Sequence, residues 1–206
     1  MTNMGEQTVF IVDDDAAVRD SIAELVESVG LHAEGYASAL ALLKALEPER
    51  PGCLVLDVRM AEMSGLALQE RLNELEVGIP VIVLTGHGDV PMAVQAMKAG
   101  AVDFIQKPYR DQALLDSINA ALSIDADARR SKAAEDDFNY RLATLTEREN
   151  EVLDHLLAGR TSKEIAGALA ISPRTAEAHR RNLLHKLGVG SAKELMRMCA
   201  PADKKK

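Results

Sequence analysis

Apolar residues in the first 123 positions follow two alternating patterns. Unbroken runs at 9–12, 53–56 and 81–84 are typical of strands that are buried on both faces of a parallel sheet. Further strands are expected at 32–36 and 101–105. The segments between the strands repeat their apolar residues every three or four positions and predict helices at 17–29, 37–46, 65–75, 90–99 and 111–122. Five strand–helix units in series predict an α/β fold with a doubly wound, central parallel sheet.

The pattern changes after residue 123. Residues 124–141 are polar and rich in Ala and charge, which predicts a solvated helical linker or a continuation of the fifth helix, with a disordered tether as the alternative. Only short helices follow, at 147–158, 161–169, 173–187 and 192–199. We therefore predict a domain over 1–123, a linker over 124–141 and a small all-α, four-helix domain over 142–206.

Charge divides the chain in the same way. Residues 1–124 carry 8 Lys and Arg against 19 Asp and Glu, whereas residues 125–206 carry 16 against 13. This asymmetry suggests two functions, the second on a polyanion. Cys53 and Cys199 lie far apart and are expected to be small hydrophobic residues in a reducing cytosol. No apolar run approaches the roughly 18 residues that a membrane span needs, and no signal peptide is visible. We expect a cytoplasmic protein.

Polar side chains stand at the ends of the predicted strands. Asp13 and Asp14 follow the first strand, Asp57 ends the third, Thr85 ends the fourth, and Lys107 follows the fifth. Because the carboxyl ends of parallel strands share one edge of the sheet, these groups are expected to converge there. Clustered carboxylates favour a hard cation such as Mg²⁺, and an Asp in this setting can be a phosphoryl-accepting nucleophile.

A structural role is the alternative for each acidic residue alone. Asp14 or Asp15 could cap the helix that starts at Ala16. Matching polar groups at four strand ends are harder to explain in that way, so we favour the phosphoryl site.

Four segments together resemble the receiver domain of two-component response regulators, across residues 8–123. They are Ile11-Val-Asp-Asp-Asp15, Asp57-Val-Arg-Met-Ala-Glu-Met-Ser-Gly65, Thr85-Gly-His-Gly-Asp89 and Lys107-Pro108. The resemblance implies a flavodoxin-like (βα)5 fold and a sensor histidine kinase that phosphorylates Asp57. It further implies that Asp14, Asp57 and the backbone carbonyl of Arg59 bind Mg²⁺ (or Mn²⁺), and that Asp13 acts through water or orientation.

The same resemblance assigns Thr85 and Lys107 to the phosphoryl group and Phe104 to a conformational switch. Phe104 would rotate inward when Thr85 moves toward the phosphate; a permanently buried core side chain is the alternative. The resemblance suggests that the apolar face of the fourth helix dimerises after phosphorylation, although Val90, Val94 and Met97 could equally be ordinary core.

The family usually has Pro where this chain has Ala61-Glu62, and the difference predicts altered metal affinity or phosphate lifetime. Arg59 or His87 could gate the attack of water on the acyl phosphate, or both could be solvated bystanders.

The C-terminal segment contains the signals of a helix-turn-helix. Thr146 and Glu149 form a capping-box pattern, and Ser172 precedes Pro173 at the start of a helix that is rich in Arg and His. In that helix an inward stripe is predicted at Ala176, His179, Leu183 and Leu187. The opposite side can read bases, and nearby basic residues can bind phosphates. The predicted DNA contacts are Lys163, Arg174, Thr175, Glu177, Ala178, Arg180, Arg181 and Lys186.

Residues 145–198 resemble the LuxR-type helix-turn-helix of FixJ/NarL-type transcription regulators, in Leu145-Thr-Glu-Arg-Glu149, Ser162-Lys-Glu-Ile-Ala166 and Ile171-Ser-Pro-Arg-Thr175. The resemblance implies a recognition helix at about 173–187 and a last helix that contributes to dimerisation on DNA. Ala170 stands where Gly is common and would strain the turn if its φ is positive.

We therefore interpret the chain as a phosphorylation-activated transcription regulator. Its expected partners are a sensor histidine kinase, double-stranded promoter DNA, RNA polymerase and, when phosphorylated, a second copy of itself. A phosphatase or phosphotransferase that uses Asp57 as its nucleophile is one alternative; Arg59 stands where haloacid-dehalogenase-like phosphatases have a second Asp. A regulator whose helical domain binds a protein instead of DNA is the other. We expect no enzyme activity beyond accepting phosphate and slow self-dephosphorylation.

Overall fold

The computed structural model describes residues 7–86 and 90–199. The chain divides into two compact units between Arg130 and Ser131. The three-part division at residues 123 and 141 stays a prediction. No helix in the described ranges is both long and apolar enough to cross a membrane.

The first unit is built on a five-stranded parallel sheet, which confirms the predicted fold class. Its strands are β1 (Thr8–Val12), β2 (His32–Tyr36), β3 (Gly52–Asp57), β4 (Val81–Thr85) and β5 (Asp103–Gln106). They are arranged in the order β2-β1-β3-β4-β5, and every neighbouring pair is parallel. The chain starts near the middle of the sheet and winds outward to both edges, so β1 and β3 are central and adjacent.

Helices cover both faces of this sheet. They are α1 (Ala16–Ser28), α2 (Ala39–Ala45), α3 (Gly65–Glu74), α4 (Val90–Lys98) and α5 (Asp111–Ala143). Alternate residues of each strand enter opposite cores, because successive side chains of a strand point to opposite faces. In β1, Phe10 and Val12 join one core, whereas Val9 and Ile11 join the other. Unbroken apolar runs are therefore required for the central strands.

Helix caps account for several polar residues around the sheet. The Asp15 side chain accepts a hydrogen bond from the Ala17 backbone and caps α1, which confirms the capping role for this residue. Ser38 and Ser64 cap α2 and α3 in the same way. Cys53 is buried, and burial raises the pKa of its thiol to about 12. A protonated, buried thiol is the core residue that the sequence predicted.

The predicted linker is helical, since residues 124–141 lie within α5. The disordered-tether alternative is therefore not what the structure has, and most residues of the segment are exposed, as expected of a solvated helix. Asp125 is 2% exposed and accepts a hydrogen bond from the Gly52 backbone at 2.9 Å. Arg129 contacts Asp125 at 2.9 Å and donates to the backbone carbonyls of Glu49 and Arg50 at 2.8 and 2.6 Å. These bonds anchor the first turns of the segment to Glu49, Arg50 and the first residue of β3.

Short helices make up the second unit: α6 (Glu147–Leu157), α7 (Ser162–Ala168), α8 (Pro173–Leu187) and α9 (Ala192–Cys199). Thr146, Thr161 and Ser172 cap the first three. Their apolar sides form one core, to which the end of α5 contributes Phe138.

The turn between α7 and α8 carries backbone strain at Ala170, whose φ is 52°. L-residues reach this left-handed region at a cost of about 1–2 kcal/mol, and glycine does not. The sequence analysis predicted strain at Ala170 if its φ is positive, and it is.

Candidate functional sites

The polar strand ends of the first unit lie at one edge of the sheet. β1 pairs with β3 and β3 with β4, all in parallel, so their carboxyl ends stand side by side. Asp13 follows β1, Asp57 is the last residue of β3, and Thr85 is the last of β4. All three are buried, with 3%, 7% and 0% of their surfaces exposed.

Lys107 joins two of these groups. Its Nζ donates hydrogen bonds to Asp13 Oδ2 and to Asp57 Oδ1, both at 2.7 Å. Burial works to lower the pKa of the Lys107 ammonium, but the bonds to the two carboxylates outweigh it and raise that pKa above its ordinary value. The lysine therefore stays charged and neutralises part of the repulsion between Asp13 and Asp57.

Backbone bonds fix this cluster further. The Arg59 amide donates to Asp57 Oδ2 at 2.6 Å, and the Asp15 amide donates to Asp13 Oδ1 at 2.9 Å. The Lys107 amide donates to the Thr85 carbonyl at 2.7 Å, which links the lysine to the end of β4. Both carboxylates are thus held from two sides, by an ammonium and by a backbone N–H.

Asp14 is placed differently from the other predicted metal ligands. Its side chain is exposed, and among residues 7–86 and 90–199 no group of three or more His, Cys, Asp or Glu is arranged to hold a metal ion. The expected gathering of three carboxylates is therefore not found. Two buried carboxylates and the adjacent backbone at Arg59 still form a donor set that suits Mg²⁺, because this ion takes one or two carboxylates and keeps several waters.

Phe104, the predicted switch residue, is neither exposed nor fully buried. Phe104 in β5 is half-buried and packs against the core on the α4 side of the sheet, with Ala96 and Ala101. The fully buried alternative is therefore not what the structure has. Its rotation stays a prediction.

The apolar face of α4 is exposed, so its interpretation as ordinary core is wrong. Val90 is 77%, Val94 44% and Met97 49% exposed. In the neighbouring loop, His87 lies outside the described residues. Glu62, in the segment where the family's proline is missing, has a positive φ of 65°.

The helix predicted to be the recognition helix is α8, and it presents the predicted polar face. Arg174, Thr175, Glu177, Arg181 and Asn182 are exposed, as is Lys163 in α7, whereas Ala178 is half-buried. Ala176, Leu183 and Leu187 are buried as predicted, but His179 is only half-buried. Most of the predicted base-reading side chains thus face outward.

Four of the predicted DNA contacts, namely Thr175, Glu177, Arg180 and Lys186, already have side-chain partners within the second unit. The Thr175 hydroxyl is 2.8 Å from that of Ser172. The Ser162 hydroxyl donates to Glu177 Oε2, and Arg180 Nη1 donates to the same hydroxyl at 3.3 Å. Lys186 Nζ donates to the Thr144 carbonyl and to Glu149 Oε2, both at 2.8 Å. The bond from Lys186 and the bonds from Thr146 lower the pKa of the Glu149 carboxyl to about 2.

Sequence reasoning missed several contacts. Arg19 in α1 donates to the Asp13 carbonyl at 2.6 Å, and no local signal marks that pairing. Asp125 and Arg129 are four residues apart on a helix, a spacing that predicts an ion pair, but their burial against residues 49–52 depends on the tertiary fold. The pairing of Glu149 with Lys186 spans 37 residues and has no local signal either.

A doubly wound domain with a buried Asp–Lys–Asp cluster, joined to a capped helix-turn-helix, is the architecture of a regulatory, nucleic-acid-binding class of protein. Residues 9–119 match the response regulator receiver domain, and residues 143–199 match the bacterial regulatory proteins of the LuxR family. The chain belongs to the two-component response regulators that carry a LuxR-type DNA-binding domain, and it is a transcriptional regulator.

Individual relatives agree with this assignment. The chain is 48% identical to the transcriptional regulatory protein TdiR of Thauera aromatica, over 92% of this chain and 83% of that protein. It is 46% identical to the transcriptional regulatory protein FixJ of Azorhizobium caulinodans, over 95% of each. The structure of the response regulator StyR, 43% identical, matches with a TM-score of 0.82 over 94% of this chain and 98% of that one.

Proposed function

We propose that phosphorylation of Asp57 by a sensor histidine kinase activates this regulator for promoter binding. The observation that carries the proposal is the placement of the Asp57 carboxylate. It is 7% exposed, lies at the end of a central strand, and is held 2.7 Å from the Lys107 ammonium. A buried carboxylate beside a fixed cation suits a nucleophile that must accept a dianionic group.

The proposed transfer is a displacement at phosphorus. A carboxylate oxygen of Asp57 attacks the phosphoryl group on a kinase histidine, the O–P bond forms, and the N–P bond breaks with its electron pair returning to the imidazole. Lys107 neutralises charge on the phosphoryl oxygens, and the Thr85 hydroxyl can donate to one of them. Little covalent chemistry is required beyond positioning and charge neutralisation. Water later hydrolyses the acyl phosphate slowly, and no multiple turnover on phosphate esters is expected.

Asp14, Asp57 and the Arg59 carbonyl are the proposed ligands of Mg²⁺ (or Mn²⁺), and Asp13 belongs to the same site through water or orientation. Bound there, the ion would supply additional positive charge against the phosphoryl oxygens. The buried pair Asp13 and Asp57 supports this assignment more strongly than the exposed Asp14 does.

The proposed output is a change in self-association and DNA binding. Thr85 moves toward the phosphoryl group, Phe104 follows, and the exposed apolar face of α4 pairs with that of a second copy. Exposed Val90, Val94 and Met97 support this surface because burying them in a homodimer is favourable. In the dimer, α8 enters the major groove of promoter DNA in the cytoplasm, with RNA polymerase as a further partner.

Electrophoresis on a phosphate-retarding gel, with acetyl phosphate as donor, tests the first half of this proposal. We expect a retarded band for the wild type and none for Asp57→Asn. Asp116→Asn, which removes an exposed carboxylate from α5, is the matched control and should still be phosphorylated. A retarded band in Asp57→Asn would overturn the assignment of the phosphoacceptor.

Footprinting tests the second half. Phosphorylated wild type should protect specific duplex sites selected from genomic fragments, whereas the unphosphorylated protein should require higher concentrations. The affinity should also fall steeply with salt, since phosphate contacts release counterions. Weak, salt-insensitive binding would instead favour a helical domain that binds a partner protein.

A further inference from the structure

Two capping boxes of the second unit offer a controlled comparison. In the first, Glu149 Oε2 accepts from the Thr146 amide at 2.8 Å and from the Thr146 hydroxyl at 3.0 Å. In the second, Glu164 Oε2 accepts from the Thr161 amide and hydroxyl, both at 2.7 Å. Each box satisfies the free N–H groups at the start of its own helix, and neither needs a further partner for that purpose.

Among residues 7–86 and 90–199, a lysine from a distant helix contacts the first box and none contacts the second. Lys186 lies in the last turn of α8, and its Nζ is 2.8 Å from Glu149 Oε2 and 2.8 Å from the Thr144 carbonyl. The Glu149 side chain is 18% exposed and that of Lys186 is 33% exposed, so the pair is partly shielded from water. One ammonium therefore ties the C-terminal end of α8 to the start of α6.

The same turn of α6 also holds the other helix of the helix-turn-helix. Arg148 Nη2 donates to the carbonyl of Leu169, the C-cap of α7, at 3.0 Å. Adjacent residues of α6 thus contact the end of α7 and the end of α8. These contacts join the first turn of α6 to the ends of both helices of the helix-turn-helix.

We propose that the α6–α8 clasp, formed by Lys186 with Glu149 and Thr144, positions the recognition helix for base readout. This inference rests on the proposed function, DNA binding through α8. It makes Lys186 and Glu149 positioning residues and replaces the sequence-based prediction that Lys186 binds a DNA phosphate. A phosphate could recruit the Lys186 ammonium only in competition with Glu149, whose carboxylate is already a strong, charge-assisted acceptor.

Full-length protein phosphorylated with acetyl phosphate provides the test. Affinity is measured at several salt concentrations for a duplex selected by the wild type and for an unrelated duplex. The variants are Glu149→Gln, Lys186→Met, their combination and Lys186→Arg. Gln at 149 can keep both capping bonds while it removes the charge. Glu164→Gln makes the same change in the second box, which has no lysine partner in the described part of the chain, and is the matched control.

We expect Glu149→Gln and Lys186→Met each to weaken binding to the selected duplex by about tenfold, with the double variant no weaker than either single one. Binding to the unrelated duplex and the salt slope should change little, so the specificity ratio falls. A general loss of folded protein would lower both affinities equally. Lys186→Arg, which can donate both bonds, should recover most of the affinity, and Glu164→Gln should remain within about twofold of the wild type.

Two results would overturn the inference alone. One is a drop of about 0.9 in the salt slope for Lys186→Met, which marks a lost phosphate contact. The other is a Glu149→Gln variant that binds as tightly as Glu164→Gln does. Wild-type protein that binds no duplex in a salt-dependent manner would overturn the proposed function and this inference with it.

Discussion

Each unit of this protein contains a lysine that bridges two oxygens, and the two bridges differ in burial. Lys107 joins carboxylates that are almost fully buried, at 2.7 Å each. Lys186 joins one carboxylate and one carbonyl nearer the surface, at 2.8 Å each. Nearly the same local geometry therefore serves, by our proposals, a reactive site in one unit and helix placement in the other.

Secondary structure explains the difference. Strand ends in the middle of a parallel sheet are surrounded by other strands and helices, so Asp13 and Asp57 lose water and must be compensated by Lys107. The first turn of α6 has no such surroundings, and Glu149 remains in contact with solvent. A shielded cluster concentrates charge for chemistry, whereas a partly exposed pair mainly fixes geometry.

The largest expected effect is the loss of the buried bridge. Lys107→Met should slow phosphorylation of Asp57 by about 100-fold, because a preorganised cationic donor is removed from the transferred group. Time courses with acetyl phosphate measure this rate. Lys98→Met, an exposed lysine at the end of α4, and Lys186→Met should keep the wild-type rate. If Lys186→Met were as slow as Lys107→Met, the functional distinction between the two bridges would be lost.

The effect of burial on the stability contributed by an ion pair can be tested with two neighbouring Asp–Arg pairs on α5. In the first pair, Arg129 contacts an Asp125 side chain that is only 3% exposed. In the second pair, the side chains of Asp127 and Arg130 are 63% and 74% exposed. Arg129→Met should lower the free energy of unfolding by about 2 kcal/mol, since it leaves Asp125 buried without its cation. Arg130→Met should change it by less than about 0.5 kcal/mol. Urea titrations provide both values, and equal losses would contradict the role given to burial.

Ala170 offers a smaller test, confined to the second unit. Ala170→Gly should raise the unfolding free energy by about 0.5–1 kcal/mol, because glycine reaches a φ of 52° without strain but gains entropy when unfolded. Ala134→Gly, in an exposed stretch of α5, should lower it by about 1 kcal/mol. Thermal unfolding distinguishes the two signs. A destabilising Ala170→Gly would mean that the turn is not strained.

The smallest expected effect is a dependence of the unfolding free energy on pH. The folded-state pKa of Glu149 is lowered from 4.5 to about 2, so the stabilisation is fully present above pH 4.5 and is lost as the pH falls through 2. Glu149→Gln should therefore be less stable than the wild type at pH 6, and the difference should shrink toward pH 2. Urea unfolding across this range measures it. The pKa of the Glu164 carboxyl is also lowered, by hydrogen bonds from Thr161, so the control Glu164→Gln should show an effect of the same sign that is smaller than that of Glu149→Gln. A difference independent of pH would exclude the carboxylate charge as its cause.

Local signals explain what could be predicted. The apolar runs ending at Asp57 and Thr85 specified central strands, and the capping pattern at Thr146 and Glu149 gave the start of α6 at the observed residue. These features depend on neighbours within a few positions. Local signals could not show whether the segment after residue 123 is helical or disordered. Its anchoring depends on the carbonyls of Glu49 and Arg50, which lie about 80 residues away in the chain.

The sequence by itself determined the succession of strands and helices along the chain, several helix caps, and the edge of the sheet at which acidic side chains would meet. These follow from periodicity and from the shared direction of parallel strands. Only the tertiary structure decided that Lys107 would join Asp13 to Asp57 while Asp14 faced solvent, and that Lys186 would pair with Glu149. Such choices depend on distances and burial between residues far apart in the chain, and no local pattern encodes them.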